Sequence, residues 1–492
     1  MRLGRWRHVA MVAVVMGALA AACGLAPSRL CAGDDIELPE IERVTLPNGL
    51  RVVAAEYHEL PLLEVTLLIG SGAAQDPEGK EGLASLVAGA LRRGTVDRGA
   101  QAFAEAVEFL GAAVDASVSH DTTVITAEFL EKDARTGLAL VGEMLMRPAF
   151  HGEELRRERE EVLAALRGRY EDPAEIAALC YAAFLYRGHP YGRPVEGRPE
   201  AVERITQRDV RAFYERHYRP NNAIAVVVGD LPAESLIEHV TTALGGWEPG
   251  LPGPAAPAGP TRFRTRSILI VDKPGATQVQ IRLGNIAIAR GDPAYVVAQV
   301  GNTVFGGGFS SRLMEELRIK RSLTYAAWSY FAAARVPGDF RLGTFTKVST
   351  TAETLSLALS ELARFRDEPP TREELAKARS YLRGQFPLRL QAPDALAGRL
   401  AEIEWYGLGF DDLEKFRSRV ARVRTEEVTA FVRRVVPSPE TVAVVVVGPA
   451  AKIAPALEGI GPIEITTPEK CVARPEQVEL HPTSRQPQAE PR

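Results

Sequence analysis

The chain has 492 residues, 46% of them hydrophobic, beyond the length at which one core keeps growing, so two or more domains are expected. Lys plus Arg (59) nearly balance Asp plus Glu (63), and the net charge of -4 argues against a nucleic-acid binder working through bulk electrostatics. The densest charge run, RREREE at 156–161, mixes both signs and reads as a solvated helix face.

Residues 1–32 read as a signal peptide and leader. Arg2, Arg5 and Arg7 precede an apolar run from Val9 to Ala22, the length of a secretory signal core and short for a membrane span. Export to the bacterial periplasm is therefore expected. Ala18, Ala20 and Ala22 offer small residues at cleavage spacing, and Cys23 follows directly as a candidate for lipidation, although Ala20 stands where a lipoprotein signal carries leucine. Such an anchor is the one membrane contact expected.

From residue 38 the pattern becomes that of a folded lobe. Two apolar strands, LRVVAA and LEVTLLIGSG, lead into EGLASLVAGALRRGT at 81–95, where Leu83, Leu86, Val87, Ala90 and Leu91 make one helical stripe that Gly94 ends. Its other side shows Ala84, Ser85, Ala88 and Gly89, all small. Strands AAVDASVSH and TVITAEF follow, then helices, then RDVRAFYERHYRPNNAIAVVVGDL at 208–231. Cys180 lies in the apolar helical stretch AEIAALCYAAFLY and reads as a buried, inert thiol.

Residues 248–262 form a linker: EPGLPGPAAPAGP can neither pair into a sheet nor continue a helix. Beyond it the first pattern returns. Strands SILIVD and VQIRLG, helices, strands TYAAWSYF and DFRLGTF, and a helical series precede EEVTAFVRRVVPSPETVAVVVVGPA at 426–450, which repeats 208–231 so that Val428 matches Val210 and Phe431 matches Phe213. Strand pairs set apart from helical blocks predict an α+β fold of two tandem homologous lobes, 38–247 and 263–450, each with helices on one face of a largely antiparallel sheet. Residues 451–492 are expected to be a tail, disordered where it turns polar and proline-rich.

Metal ligands are not evident. The four cysteines, 23, 31, 180 and 471, lack zinc-pair spacing, and no disulfide can be assigned from sequence. His151 and Glu154 stand three apart without a second histidine. His58, His120, His189, His217 and His239 are scattered and read as surface or packed residues.

Taken together, LPNGLRVV (46–53), EGLASLVAGALRRGT, GHPYGRP (188–194), FGGGFSSRL (305–313) and LRIKRSLTY (317–325) resemble the insulinase and pitrilysin family of zinc peptidases, which includes mitochondrial processing peptidase. Active members carry HxxEH on the matching helix, with paired imidazoles for zinc and a glutamate that takes a proton from the bound water. The match puts Ser85 and Gly89 at the histidine positions and Ala88 at the glutamate. Glu158 is the nearest counterpart of the family's third ligand, with Glu160 and Glu161 as alternatives, and by itself reads as a solvated surface acid. The resemblance implies that this chain holds no metal.

The second half keeps what the first lacks. By the resemblance, Arg318 and Tyr325 correspond to the pair that holds substrate backbone and developing oxyanion, with Arg318 in the last turn of a helix from Ser310 to about Lys320 and Tyr325 opening the next strand. Their bland readings are a helix C-terminal cation and a strand residue. Gly306, Gly307 and Gly308 have no P-loop lysine after them and would let chain or peptide approach closely. The asymmetry implies a non-catalytic, substrate-clamping subunit. Its partner would be an HxxEH-bearing paralogue holding the zinc, with a peptide substrate added to an exposed sheet edge. The alternatives are a non-enzymatic scaffold like the core subunits of respiratory complexes, and a self-sufficient peptidase with unrecognised ligands.

Overall fold

The computed structural model describes residues 35–473; the signal segment, Cys23, Cys31 and the chain after 473 lie outside them. In the first half, β1 (Ile41–Thr45), β2 (Arg51–Glu56), β3 (Leu62–Ile69), β4 (Ala113–Val118), β5 (Thr123–Leu130) and β6 (Ala223–Gly229) form one sheet in the order β1-β2-β6-β3-β5-β4. In the second, β7 (Ser267–Asp272), β8 (Gln278–Ile286), β9 (Ala327–Ala332), β10 (Asp339–Lys347), β11 (Ala443–Gly448) and β12 (Ile463–Thr466) follow the order β12-β7-β11-β8-β10-β9. The inner order is the same. Both sheets are mixed but mainly antiparallel, with β2 parallel to β6 and β7 parallel to β11.

The outermost strands come from opposite ends of the chain. β1 pairs antiparallel with β2, whereas β12 pairs in parallel with β7. The second lobe therefore does not stop at 450. The four residues IEIT between Pro462 and Pro468 are too few to show an alternation, yet they cap the sheet.

The helices of the first half are α1 (Leu83–Leu91), α2 (Ala100–Phe109), α3 (Ala134–Met146), α4 (Gly152–Arg169), α5 (Pro173–Leu185), α6 (Gln207–His217) and α7 (Ala233–Leu244). Those of the second are α8 (Tyr295–Phe305), α9 (Thr351–Asp367), α10 (Arg372–Leu388), α11 (Pro393–Tyr406), α12 (Phe416–Arg422), α13 (Thr425–Val435), α14 (Ala450–Leu457) and α15 (Pro468–Ala473). Val210 with Phe213 on α6 and Val428 with Phe431 on α13 are buried at matching places. None of the described helices is long and apolar enough to cross a membrane.

The lobes exchange helices. α5 of the first half packs on β8 and β11 of the second sheet, and α11 of the second half packs on β3 and β6 of the first. Each sheet is thus covered on both faces, not on one as the sequence pattern suggested. The valine runs follow from this arrangement. Along β6, Ala225 and Val227 join the core under the first lobe's own helices, while Ile224, Val226 and Val228 join the core that contains α11. A strand buried on both faces has no polar side to alternate with.

A disulfide between Cys180 on α5 and Cys471 on α15 ties the exchanged helix to the end of the chain, with Cα atoms 5.6 Å apart. The expectation of an inert thiol at Cys180 is corrected. Its burial was read properly, but Cys471, equally buried, is brought against it by the fold of residues beyond 450.

Candidate functional site

α1 is set by its N-terminus. Gly82 adopts φ 98°, a left-handed conformation that favours glycine. The Asp76 carboxylate accepts hydrogen bonds from the N–H groups of Gly82 and Ala84 at 2.7 and 2.8 Å. Burial pushes this carboxyl up to about 7, against the lowering effect of the two backbone donors. Leu83, Leu86, Val87, Ala90 and Leu91 are buried as their stripe predicts, but Ala84 and Ala88 are buried as well. The bare face of α1 is covered by α4 and α6.

The three positions matched to HxxEH have definite partners. Ser85 Oγ donates to the Val195 carbonyl at 2.9 Å, and Ala88 is enclosed. A Cβ on Gly89 would lie 2.0 Å from Glu158 Oε1, so Gly89 is where α4 brings its carboxylate onto α1. The reading of Glu158 as a solvated acid is therefore corrected: it is 9% exposed and its carboxylate faces Gly89 of α1. Glu160 points elsewhere and pairs with Arg156 on the exposed side of α4.

Arg93 completes this cluster. Its Nε donates to Glu158 Oε2 at 2.7 Å and its Nη2 to Glu161 Oε2 at 2.5 Å. Burial would lower the guanidinium's proton affinity, but the two carboxylates outweigh it and hold it above the ordinary value. Sequence reasoning left Arg93 unassigned: it lies two residues beyond the end of α1, and only the packing of α4 brings Glu158 to it. Zinc does not fit this donor set. A hydroxyl already donating to a carbonyl, a methyl group, a hydrogen atom and a carboxylate engaged by a fixed cation offer one anionic ligand and no imidazole.

The histidines do not supply the missing nitrogens here. His58 lies against Asp230 and Glu56, His120 against the Arg193 carbonyl, and His189 against the Ala258 carbonyl. Among the described residues no group of three His, Cys, Asp or Glu is placed to hold a metal ion.

In the second lobe, the glycines after α8 divide by role. Asn302 accepts the N–H groups of Gly306 and Gly307 on its carbonyl, and its side chain exchanges hydrogen bonds with Ser329 of β9. A Cβ on Gly306 would lie 2.4 Å from Ser329 Oγ, and one on Gly307 2.7 Å from Asn302 Nδ2. Those two glycines let β9 approach the helix end. Gly308 has open space beside it and borders a cleft of roughly 580 Å³ lined also by Phe309, Ser310, Lys377 and Tyr381.

Helical turns begin at Arg312 and widen into a π-type helix over Met314–Lys320, with Arg318 in its last turn. Ser322, between the two clamp candidates, adopts φ 54°, a strained conformation of the kind that clusters at working sites. Tyr325 precedes β9 by two residues and does not open the strand; it is 76% exposed. Lys320 pairs with Glu316, and Arg321 reaches Glu353 at 4.0 Å. Arg318 has no acidic partner among the described residues and lies over the exposed Phe309 ring, 5.0 Å from its centroid.

Comparisons with known proteins bear on the family and the fold. Residues 51–198 match the model of the insulinase family, peptidase family M16, and residues 204–382 match that of the peptidase M16 inactive domain. An uncharacterized zinc protease of Streptomyces coelicolor is 26% identical over 80% of this chain and 87% of its own. A non-peptidase homolog of Helicobacter pylori is 25% identical over 80% of this chain and 90% of its own. A crystal structure of a peptidase M16 inactive domain from Pseudomonas fluorescens superposes with a TM-score of 0.78 at 27% identity, covering 83% of this chain and 98% of that one. With both halves matched in order, the chain belongs to the insulinase family, peptidase family M16.

Proposed function

We propose that this protein is the non-catalytic subunit of a heteromeric zinc peptidase: it binds no zinc itself and contributes Arg318 and Tyr325 to a site whose metal is held by an HxxEH-bearing paralogue. The observation that carries this reading is the contrast between two arginines. Arg93 is spent on Glu158 at the place of the metal, whereas Arg318 has no acidic partner and stands over an exposed ring. An internal cation at the zinc position removes the means of activating water. An unpaired guanidinium with an exposed phenol close by in sequence suits an extended backbone and its developing negative charge. β4 and β9 end their sheets, so each presents an edge to which a peptide strand can add.

The descriptions of relatives as an inactive domain and a non-peptidase homolog support the same reading. Export is part of the proposal, and the Cys180–Cys471 disulfide supports it, since such bonds persist in oxidising compartments. The test is to copurify the chain with an HxxEH paralogue and assay peptide hydrolysis. The pair should turn over faster than the paralogue alone, and Tyr325→Phe should remove that gain. If the pair is no faster, the chain is a scaffold; if the isolated chain hydrolyses peptide with stoichiometric zinc, it is a peptidase in its own right.

A further inference from the structure

One surface of the second lobe collects positive charge with no acid to balance it. Where the linker ends and the C-termini of α9 and α13 converge, a pocket of roughly 420 Å³ is lined by Arg262, Arg264, Arg366, Arg433 and Arg434, and by no aspartate or glutamate. None of these five is in an ion pair among the described residues. Their polar contacts go to carbonyl oxygens: Arg262 to Ala287 at 3.1 Å, Arg366 to Val436, and Arg433 weakly to Arg366 at 3.5 Å. Neighbouring arginines of the same lobe are paired with acids. Arg364, two residues before Arg366, pairs with Glu316, Glu361 and Glu368, and Arg312 pairs with Glu374.

Helix polarity accounts for part of this. Arg366, Arg433 and Arg434 sit in last turns, where a cation is favoured by the macrodipole. Arg262 and Arg264 belong to no helix, so that argument does not reach them. Like charges gathered on one pocket wall repel one another. In a chain with more acids than bases, a pocket that gathers five guanidinium groups and no carboxylate holds an arrangement that a bound anion would relieve. Ser438 and Thr441 are also on its wall, the Thr441 hydroxyl donating to the Ser438 carbonyl at 3.1 Å.

We infer that this pocket binds a phosphoryl oxyanion, the multiply charged and multidentate acceptor that several guanidinium groups suit better than a single carboxylate does. The shared chemistry is a phosphate group, free or on an anionic lipid. The site is remote in sequence from Arg318 and Tyr325, and the inference stands whether or not the chain partners a peptidase.

The experiment compares the purified wild-type chain with Arg433→Ser/Arg434→Ser. Calorimetric titration with inorganic phosphate and pyrophosphate should give saturable binding that weakens at least tenfold in the variant and falls with added salt. Arg433→Lys/Arg434→Lys, which keeps the charge but not the fork of donors, should lose less. If the serine variant melts well below wild type, Arg264→Ser, outside any helix, is read instead. Co-sedimentation with phosphatidylglycerol vesicles, against phosphatidylcholine vesicles, separates the sources. Loss of sedimentation in the variant, with competition by phosphate, identifies a lipid headgroup; unchanged sedimentation with lost phosphate binding identifies a soluble phosphoryl ligand. No saturable binding of either probe by wild type, or equal binding by wild type and variant, overturns the inference.

Discussion

Arg93 Nε, two residues past the end of α1, donates to Glu158 Oε2 of α4 at 2.7 Å, directly beside Gly89, which the family resemblance matches to a zinc-binding histidine. On the reading proposed above, the guanidinium supplies positive charge here but no metal chemistry, since it cannot bind or acidify water. It also leaves Glu158 largely buried, so the pair has a structural role. Removing the cation alone should cost about 2 kcal/mol, because a carboxylate is then left desolvated and unpaired. Chemical denaturation of Arg93→Ala, Glu158→Gln and the double variant should show the double costing less than the two singles summed.

The same contact predicts what rebuilding the motif requires. Ser85→His, Ala88→Glu and Gly89→His together supply the imidazoles, but with Arg93 in place the third ligand stays engaged and the pocket stays positive. Metal analysis after equilibration with buffered zinc should find well under one equivalent in that triple variant. Adding Arg93→Ala should bring it towards one. A full equivalent with Arg93 retained would mean that the guanidinium yields readily and is no barrier to the metal.

Much of the fold was legible because its determinants are local. The stripe on α1, the valine runs of β6 and β11 and the paired Val210 and Val428 each announce burial within a few residues of sequence. The exchange of α5 and α11 was not legible, because a doubly buried valine run says that a second face is covered without saying by what. Cys471 and β12 were missed since their partners, Cys180 and β7, are remote in sequence. At the site, the loss of HxxEH was readable by residue type. The cation that pairs with Glu158 was not, since two adjacent arginines follow α1 and only packing distinguishes Arg93, on Glu158, from Arg92, on the exposed Asp115.

Arg318 and Tyr325 should separate activity from stability. Tyr325 is mostly exposed, and no hydrogen bond from its hydroxyl is evident among the described residues, so Tyr325→Phe should change stability by less than about 0.5 kcal/mol. If it supplies an oxyanion donor in the assembled peptidase, turnover of the pair should fall by about 100-fold with KM little changed. Equal melting temperatures with unequal turnover numbers are the expected result.

Glu64 on β3 stands opposite Glu128 on β5 in register, and Asp394 at the start of α11 adds a third negative charge. Burial first, then these two carboxylates, push Glu64 up to about 8. A carboxyl raised in the folded state contributes stability that is complete below its unfolded value, near 4.5, and is lost as pH rises through 8. Asp76, raised to about 7, acts with the same sign. Wild type should therefore lose several kcal/mol between pH 5 and 9, at about 1.4 kcal/mol per pKa unit. Glu64→Gln should flatten this loss without abolishing it, as read from denaturation midpoints across that range. An unchanged slope would place Glu64 in contact with solvent.

The Cys180–Cys471 bond closes a loop of 291 residues and joins α5, which belongs to the first half but packs on the second sheet, to α15 at the end of the described chain. Cross-linking removes denatured-state freedom, and its loss should cost about 2–5 kcal/mol. Because β12 is an edge strand of only four residues, the loss should appear first as local opening there. Hydrogen exchange of Cys180→Ser/Cys471→Ser should show earlier labelling of 463–473 than of β7 or β11, followed by a lower global midpoint. Uniform labelling of the whole lobe would instead mean that the bond holds α5 on the second sheet and that the lobes come apart as one step.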